Sequence, residues 1–141
     1  MSDSIIDADT VQAYRETEYR VHAGEPFVLR IGEANSILAE THKHHRADSS
    51  AYISACNPFS RLLDDEANAE RHAALGRELG LRSLAFIEGI GKHPADPWQG
   101  EASFLVLGLS LEAAKTLGTR LEQNAIVWTG NDAVPQLILL R

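Results

Sequence analysis

A carboxylate and a hydroxyl lie two residues apart where an apolar run begins. Glu101 and Ser103 lead into residues 104–107, which are continuously apolar. If this run is a buried strand, alternation places both side chains on one face. Such a pair could exchange protons or bind a polar ligand, and burial would raise the pKa of Glu101. The alternative is a solvated strand end, or an ion pair of Glu101 with Arg61 or Lys92.

A second polar group follows residues 50–56, which read as another strand. Asn57 and Ser60 lie between this strand and a predicted helix. Ligands of open sheets bind beyond strand ends and face helix N-termini. Asn57 could therefore bind an amide, a hydroxyl or a phosphate, and Arg61 could pair with an anion. The alternative is a turn in which Asn57 satisfies nearby backbone groups before the proline that follows it.

Gln123 and Asn124 follow the last predicted helix. Asparagine tolerates the left-handed conformation, so Asn124 is most simply the C-terminal cap of that helix. Gln123 reaches the Glu101 region if strands 104–107 and 125–128 are neighbours. The predicted ligand-binding residues are therefore Asn57, Ser60, Arg61, Trp98, Ser103 and Gln123.

Trp98 belongs to a predicted loop over residues 88–100, and loops of that length are often functional or disordered. Its segment 89–94 matches neither a Walker A loop nor the dinucleotide fingerprint, because the glycine spacing is wrong and no Ser or Thr follows the lysine. His93 and Trp98 could cover a ligand, or Trp98 could fix the loop to the core. If the protein is an enzyme, Glu101 and His93 are the acid/base candidates.

The remaining reactive residue types favour structural interpretations, and no metal or cofactor is predicted. Two imidazoles, His42 and His45, share one face of a predicted helix, but no acidic or cysteine partner has catalytic-zinc spacing. A solvated helix end is the favoured interpretation. Cys56 has no neighbouring base and is interpreted as a small buried residue.

These residues are positioned by a predicted element order of β-β-α-β-α-β-β-α-β-β. Helices between strands indicate a single α/β (or α+β) domain. We expect a mixed sheet with about three helices and hairpins at the edges. Residues 13–141 form the predicted globular domain, and residues 1–12 a mobile N-terminal tail.

Composition limits the kinds of partner that the protein is expected to bind. The chain has 141 residues, of which 44% are apolar, and a net charge of −7, so nonspecific nucleic-acid binding is not expected. The longest apolar stretch is too short to cross a membrane, and the N-terminus lacks the features of a signal peptide. A single cysteine is compatible with a reducing compartment. A cytoplasmic protein is expected.

Together, these motifs resemble the bacterial family known as domain of unknown function 3293. The resemblance covers about Tyr14 to Arg141. It is carried by Asn57-Pro58-x-Ser60, Asn68 and Arg71 on one helix, the Gly89-to-Trp98 loop, the 100–108 segment and the 123–128 segment. It implies a single-domain, bacterial, cytoplasmic protein and transfers no activity, cofactor or catalytic residue.

Two functions remain open. One is a small-molecule binding protein or enzyme whose amide-rich pocket favours a polar metabolite over a lipid. The other is a non-catalytic interaction domain, which binds a protein partner or forms a homodimer through edge hairpins at 18–31 and 125–140.

Overall fold

The computed structural model, which describes residues 4–95 and 100–141, has seven strands in one sheet and four α-helices among those residues. The helices are α1 Ala8–Glu16, α2 Ser36–His44, α3 Asp65–Leu81 and α4 Leu111–Arg120. The strands are β1 Glu18–Val21, β2 Phe27–Leu29, β3 Ser50–Ile53, β4 Phe86–Lys92, β5 Glu101–Leu107, β6 Ala125–Thr129 and β7 Gln136–Leu139. A short 3-10 turn, Pro58–Ser60, follows β3.

The strand order is β2-β1-β4-β5-β3-β6-β7, and each of the six described pairings is antiparallel. The α+β alternative of the predicted class is confirmed, with four helices where about three were expected. Helix α3 joins β3 to β4, which are parallel to each other, but β5 lies between them. Because an antiparallel strand fills that gap, the helical crossover produces no parallel pairing, and the sheet is not mixed.

The hairpins predicted at the edges are present. β1 pairs with β2 through Tyr19 and Leu29, and β6 pairs with β7 through Ile126 and Ile138. The order of the sheet makes β2 and β7 its two edge strands.

The loop predicted over residues 88–100 is wrong for residues 88–92, because β4 continues to Lys92. Residues 96–99 of the predicted loop lie outside the described residues. Its glycines suggested a loop, yet Gly89 is needed inside the strand. A Cβ at this position would lie 2.1 Å from the carbonyl oxygen of Arg20 and 2.7 Å from the hydroxyl of Tyr52. Glycine therefore marks a close approach of two elements, which is its other role in strands.

The helix starts follow local sequence. Asn35, Asp64 and Ser110 each accept a backbone N–H three residues ahead and cap α2, α3 and α4. Asp7 does the same for α1, which begins inside the segment predicted as a tail. Residues 1–3 of that tail lie outside the described residues, and its mobility stays a prediction.

The core lies on both faces of the sheet. Helices α3 and α4 pack on the first face through leucines such as Leu75, Leu79 and Leu117. Helix α2 covers part of the second face through Leu38, which belongs to the same apolar cluster as Leu29 and Leu105. Helix α1 contributes no buried residue. The second face is therefore less completely covered.

Candidate functional site

A cavity of about 300 Å³ lies on the second face of the sheet. Its apolar walls are Ala13, Gly91, Ala125, Ile126, Val127 and Leu137. Its polar lining is Tyr14, Thr17, Tyr19, Tyr52, Ser54, Asn57, Ser60, His93, Glu101, Ser103, Gln123 and Asn124. The volume is at the lower end of the range for small-molecule sites.

Most of the predicted site residues meet in this cavity. Those that line it are Asn57, Ser60, His93, Glu101, Ser103 and Gln123. Arg61 is exposed and does not line the cavity. Trp98 lies outside the described residues. The three polar signatures of the sequence are therefore brought together, without the predicted arginine.

Glu101 is the carboxylate of this cavity. It starts β5, and Ser103 shares its face, as the alternation predicted. Its Oε2 accepts a hydrogen bond of 2.9 Å from Nδ2 of Asn57. Burial raises the pKa of Glu101, and the hydrogen bond from Asn57 partly opposes that increase. Within the described part of the chain, neither Arg61 nor Lys92 forms an ion pair with Glu101.

The amide of Asn57 has a defined orientation. Its Oδ1 accepts hydrogen bonds from the Leu63 amide at 3.0 Å and from Nδ2 of Asn68 at 2.8 Å. Since that oxygen is occupied by two donors, the NH₂ group must face Glu101. The backbone N–H of Asn57 also donates to Oδ1 of Asn68, at 2.9 Å. Helix α3, through Asn68, thus positions the residue that contacts the carboxylate.

The turn after β3 is strained. Asn57, Phe59 and Ser60 have φ values of 48°, 53° and 60°, in the left-handed region. For residues other than glycine and asparagine, this conformation costs about 1–2 kcal/mol each. The Phe59 amide is tied to the carbonyl of Glu122 at 2.6 Å. Tertiary contacts therefore hold the turn in a conformation that its residues do not favour.

The strained turn places Ser60 in a polar cluster at the rim of the cavity. Oγ of Ser60 accepts from Nδ2 of Asn124 at 2.7 Å and lies 3.1 Å from the hydroxyl of Tyr14. The cluster joins α1, the turn and the segment after α4. Asn124 is not the predicted helix cap, because α4 ends at Arg120 with Leu121 as its C-cap, and Glu122 takes the left-handed conformation with φ of 61°.

Gln123 reaches the cavity by a different route from the one predicted. Strands β5 and β6 are not neighbours, because β3 lies between them. Gln123 is buried and donates to the carbonyl oxygen of Cys56 at 3.1 Å. Arg71 of α3 reinforces this junction by donating to the carbonyls of Ala55 and Leu121. The end of β3 and the end of α4 are thereby joined.

All three tyrosines of the chain line the cavity, and none of them was predicted from the sequence as a site residue. The rings of Tyr19 and Tyr52 meet edge to face, with centroids 5.4 Å apart. Their hydroxyls donate to the carbonyls of Tyr14 and Arg20, at 2.5 Å and 2.7 Å. Burial raises both pKa values far above the ordinary range, so both phenols are neutral. Tyr52 lies in the strand predicted at residues 50–56, where alternation places it on the same face as Ser54, another residue of the cavity lining.

His93 and Cys56, the other reactive candidates, are less well placed than Glu101. His93 lies at the rim, where Nε2 is 3.1 Å from a carboxylate oxygen of Glu16. Cys56 is buried, and burial raises the pKa of its thiol, which disfavours the reactive thiolate. The interpretation of Cys56 as a small buried residue fits this environment.

The interpretation of the α2 histidines as a solvated helix end is wrong for His42. His42 is buried and hydrogen-bonds to Oγ of Ser50 at 2.8 Å, so it does not belong to a solvated helix end. Among the described residues there is no group of three or more His, Cys, Asp or Glu side chains that could hold a metal ion.

Comparison with known proteins identifies the family. Residues 53–126, just over half of the chain, match the family described as Protein of unknown function (DUF3293). The chain belongs to this family. No curated protein and no solved structure matches it. Across residues 4–95 and 100–141, no helix has both the length and the apolar character needed to cross a membrane.

Proposed function

We propose that this member of the DUF3293 family binds a small polar ligand in the cavity around Glu101. The observation that carries the proposal is the position of that carboxyl group. It lines a cavity of about 300 Å³, is held by Asn57 and has a pKa raised by burial. Perturbed carboxyl groups in concave sites are enriched at functional positions.

Backbone strain supports the same proposal. Phe59 and Ser60 adopt left-handed conformations in the turn that brings Ser60 to the cavity, although neither is a residue type that favours them. Strained backbone concentrates at ligand sites, where stability is traded for geometry. Here the strain places Ser60 against Asn124 and Tyr14.

If a ligand also reacts, the geometry favours Glu101 over His93 as the acid/base residue. Glu101 lies inside the cavity, and burial raises its pKa above the ordinary value of a carboxyl group. The imidazole of His93 is partly exposed and paired with Glu16.

A ligand screen tests the binding proposal. Isotope-labelled protein would be titrated with a panel of polar metabolites, and amide shift changes and thermal stabilisation would be recorded. We expect at least one compound to stabilise the protein and to shift the amides of Tyr52, Ser103 and Gln123. Glu101→Gln should weaken its binding. Glu70→Gln, a change at an exposed position on α3, is the matched control. Shifts confined to the outer surface, or no binding by any compound, would reject the cavity as a site.

The proposed setting is the bacterial cytoplasm. The family resemblance supports a bacterial origin, and a single free cysteine, Cys56, is compatible with a reducing compartment. Cell fractionation with an antibody against the native chain would test the location. Recovery in an envelope fraction would contradict it.

A second candidate function is association through the sheet edge. Strand β7 is an edge strand, and its Leu137, Ile138 and Leu139 are only partly buried. Exposed edges of this kind pair with other chains. Light scattering should then detect a concentration-dependent dimer, and Leu139→Lys should reduce it. A monomer at all concentrations would reject a homodimer.

A further inference from the structure

The aromatic content of the cavity wall is concentrated. Tyr14, Tyr19 and Tyr52 come from α1, β1 and β3, and the chain has no further tyrosine. Their rings contribute the faces and edges of an electron-rich wall. Such walls attract organic cations through the ring quadrupole, more strongly where water is excluded.

Four hydroxyl groups around the cavity have already used their hydrogens. Tyr19 and Tyr52 donate to the backbone carbonyls of Tyr14 and Arg20. Ser54 and Ser103 donate to the carbonyls of Ala102 and Glu101, at 2.9 Å and 3.1 Å. A hydroxyl has one hydrogen, so these oxygens have only lone pairs to offer a ligand.

The side-chain amide groups around the cavity also direct their donors at the protein itself. The NH₂ of Gln123 donates to the carbonyls of Cys56 and Leu121, and the NH₂ of Asn57 donates to Glu101. The interior of the cavity therefore presents mainly hydrogen-bond acceptors. A ligand that supplies donors matches it.

The charges of the cavity lining also disfavour an anionic ligand. Glu101 is its carboxylate, and no Lys or Arg belongs to the lining among the described residues. Two nearby guanidinium groups are engaged elsewhere: Arg71 with backbone carbonyls, and Arg141 over the ring of Phe59 with Asn124 as a further partner. An anionic ligand would meet a carboxylate without a balancing cation, which is costly in a partly buried site.

We propose that the ligand is a small organic cation carrying an ammonium group, with that group directed at Glu101 and the tyrosine rings. This inference rests on the proposed function and specifies its ligand class. The ammonium supplies donors to the acceptor-rich wall, and the remaining carbon skeleton packs against Val127 and Leu137.

Three compounds with one carbon skeleton test the ligand class. They are 3,3-dimethylbutylamine, 3,3-dimethyl-1-butanol and 3,3-dimethylbutanoate, which are cationic, neutral and anionic near pH 7. Each would be titrated into the full chain, with the amide shifts of Tyr52 and Ser103 as the readout. We expect the amine to bind at least about tenfold more tightly than the alcohol, and the carboxylate to bind most weakly.

Glu101→Gln should reduce the advantage of the amine over the alcohol to about twofold, because the charge is removed while Asn57 can still donate to the new side-chain oxygen. Glu70→Gln should leave the advantage unchanged. If Glu101→Gln does not fold, the ranking of the three compounds on the wild-type chain still decides the question.

The possible results separate the two proposals. If the alcohol or the carboxylate binds as tightly as the amine, the ammonium inference is wrong, while the proposed function stands on the shifted lining amides. Binding of a neutral or anionic metabolite alone from the wider screen would also reject the ammonium inference and leave the proposed function standing. If neither the three compounds nor the screen shifts those amides, both proposals fail.

Discussion

The two faces of the sheet are formed by the same strands but are packed differently. On the first face, Phe104 and Val106 of β5 pack with Leu75 and Leu79 of α3 in an apolar cluster. On the second face, Leu105 and Leu107 of the same strand join an apolar cluster around Leu38. Continuing along that second face, Ser103 and Glu101 line the cavity instead. At the cavity end of the second face, polar side chains therefore take the place of dense apolar packing.

The difference follows from what covers each face. The first face lies beneath α3 and α4, both of which bury leucines. The cavity end of the second face lies beneath α1, which has no buried residue and is joined to the domain by polar contacts such as those of Tyr14 with Ser60 and Asn124. A helix that brings little apolar surface cannot fill the space beneath it. We infer that the cavity exists because α1 does not seal it.

Truncating one leucine on each face should give the largest contrast. Leu79 is 0% exposed, so Leu79→Ala should cost about 3 kcal/mol of unfolding free energy, since it opens a void in dense packing. Leu137 is half buried beside the existing cavity, so Leu137→Ala should cost about 1 kcal/mol. Urea unfolding measures both. Equal losses would mean that the cavity face is packed as tightly as the other.

Removing the Asn57 side chain tests the polar framework of the cavity. Asn57→Ala should cost about 2–3 kcal/mol, because Asn68 and the Leu63 amide lose their acceptor. The left-handed backbone adds to this cost.

Asn57→Gly is the matched control, since it loses the same hydrogen bonds without the backbone penalty. We expect it to be about 1 kcal/mol more stable than Asn57→Ala. Unfolding free energies that do not change from wild type would show that the framework is dispensable for folding.

The phenol hydroxyl of Tyr52 should have a smaller effect. Tyr52→Phe keeps the ring in the cavity wall but removes the donor to the carbonyl of Arg20, for a loss of about 1 kcal/mol. Tyr14→Phe, at a half-buried rim position, should cost less than about 0.5 kcal/mol. If the rim substitution proves the more damaging one in thermal or urea unfolding, the relative roles assigned to the two hydroxyls are wrong.

The pH dependence of Glu101→Gln should be the smallest and most specific signal. Burial raises the pKa of Glu101 in the folded chain above its ordinary value of 4.5, with Tyr19, Tyr52 and Cys56 as its ionisable neighbours. The folded state therefore keeps a proton that the unfolded state releases. That contribution to stability is complete below the unfolded pKa and is lost as pH rises through the folded pKa.

Glutamine has no such proton to lose. The stability difference between variant and wild type should therefore move in favour of Glu101→Gln as pH increases from about 4 to about 7. Denaturant unfolding at several pH values would measure this trend, with Glu70→Gln as the control. An opposite trend would show that the folded chain stabilises the ionised carboxylate.

Local rules predicted much of the fold and part of the site. Alternation along a strand placed Glu101 and Ser103 on one face, and local capping chemistry accounts for the starts of α2, α3 and α4 at Asn35, Asp64 and Ser110. Both depend on residues only a few positions apart. The same rules failed where a distant contact decided the outcome. Gly89 reads as a loop residue, but its place in β4 depends on the backbone of β1.

The cavity itself depends on contacts across long sequence separations. Asn57 meets Glu101 across a sequence separation of 44 residues, and Tyr14 meets Asn124 across 110. Strand order also places β3 between β5 and β6, so those two strands are not neighbours. Gln123 reaches the cavity instead through its hydrogen bond to the carbonyl of Cys56, which follows β3. Pattern and propensity carry no information on such pairings, because the free energy that selects them comes from packing the whole sheet.

By itself, the sequence determined most of the secondary elements, the edge hairpins and half of the polar residues that line the cavity. These depend on steric preference, capping and alternation, which operate within a few residues. Only the tertiary structure decided that Tyr14, Tyr19 and Tyr52 share one cavity with Glu101, that Asn57 directs its NH₂ towards that carboxylate, and that Arg61 stays outside. Those outcomes depend on which distant surfaces exclude water together, and a short stretch of chain cannot specify that.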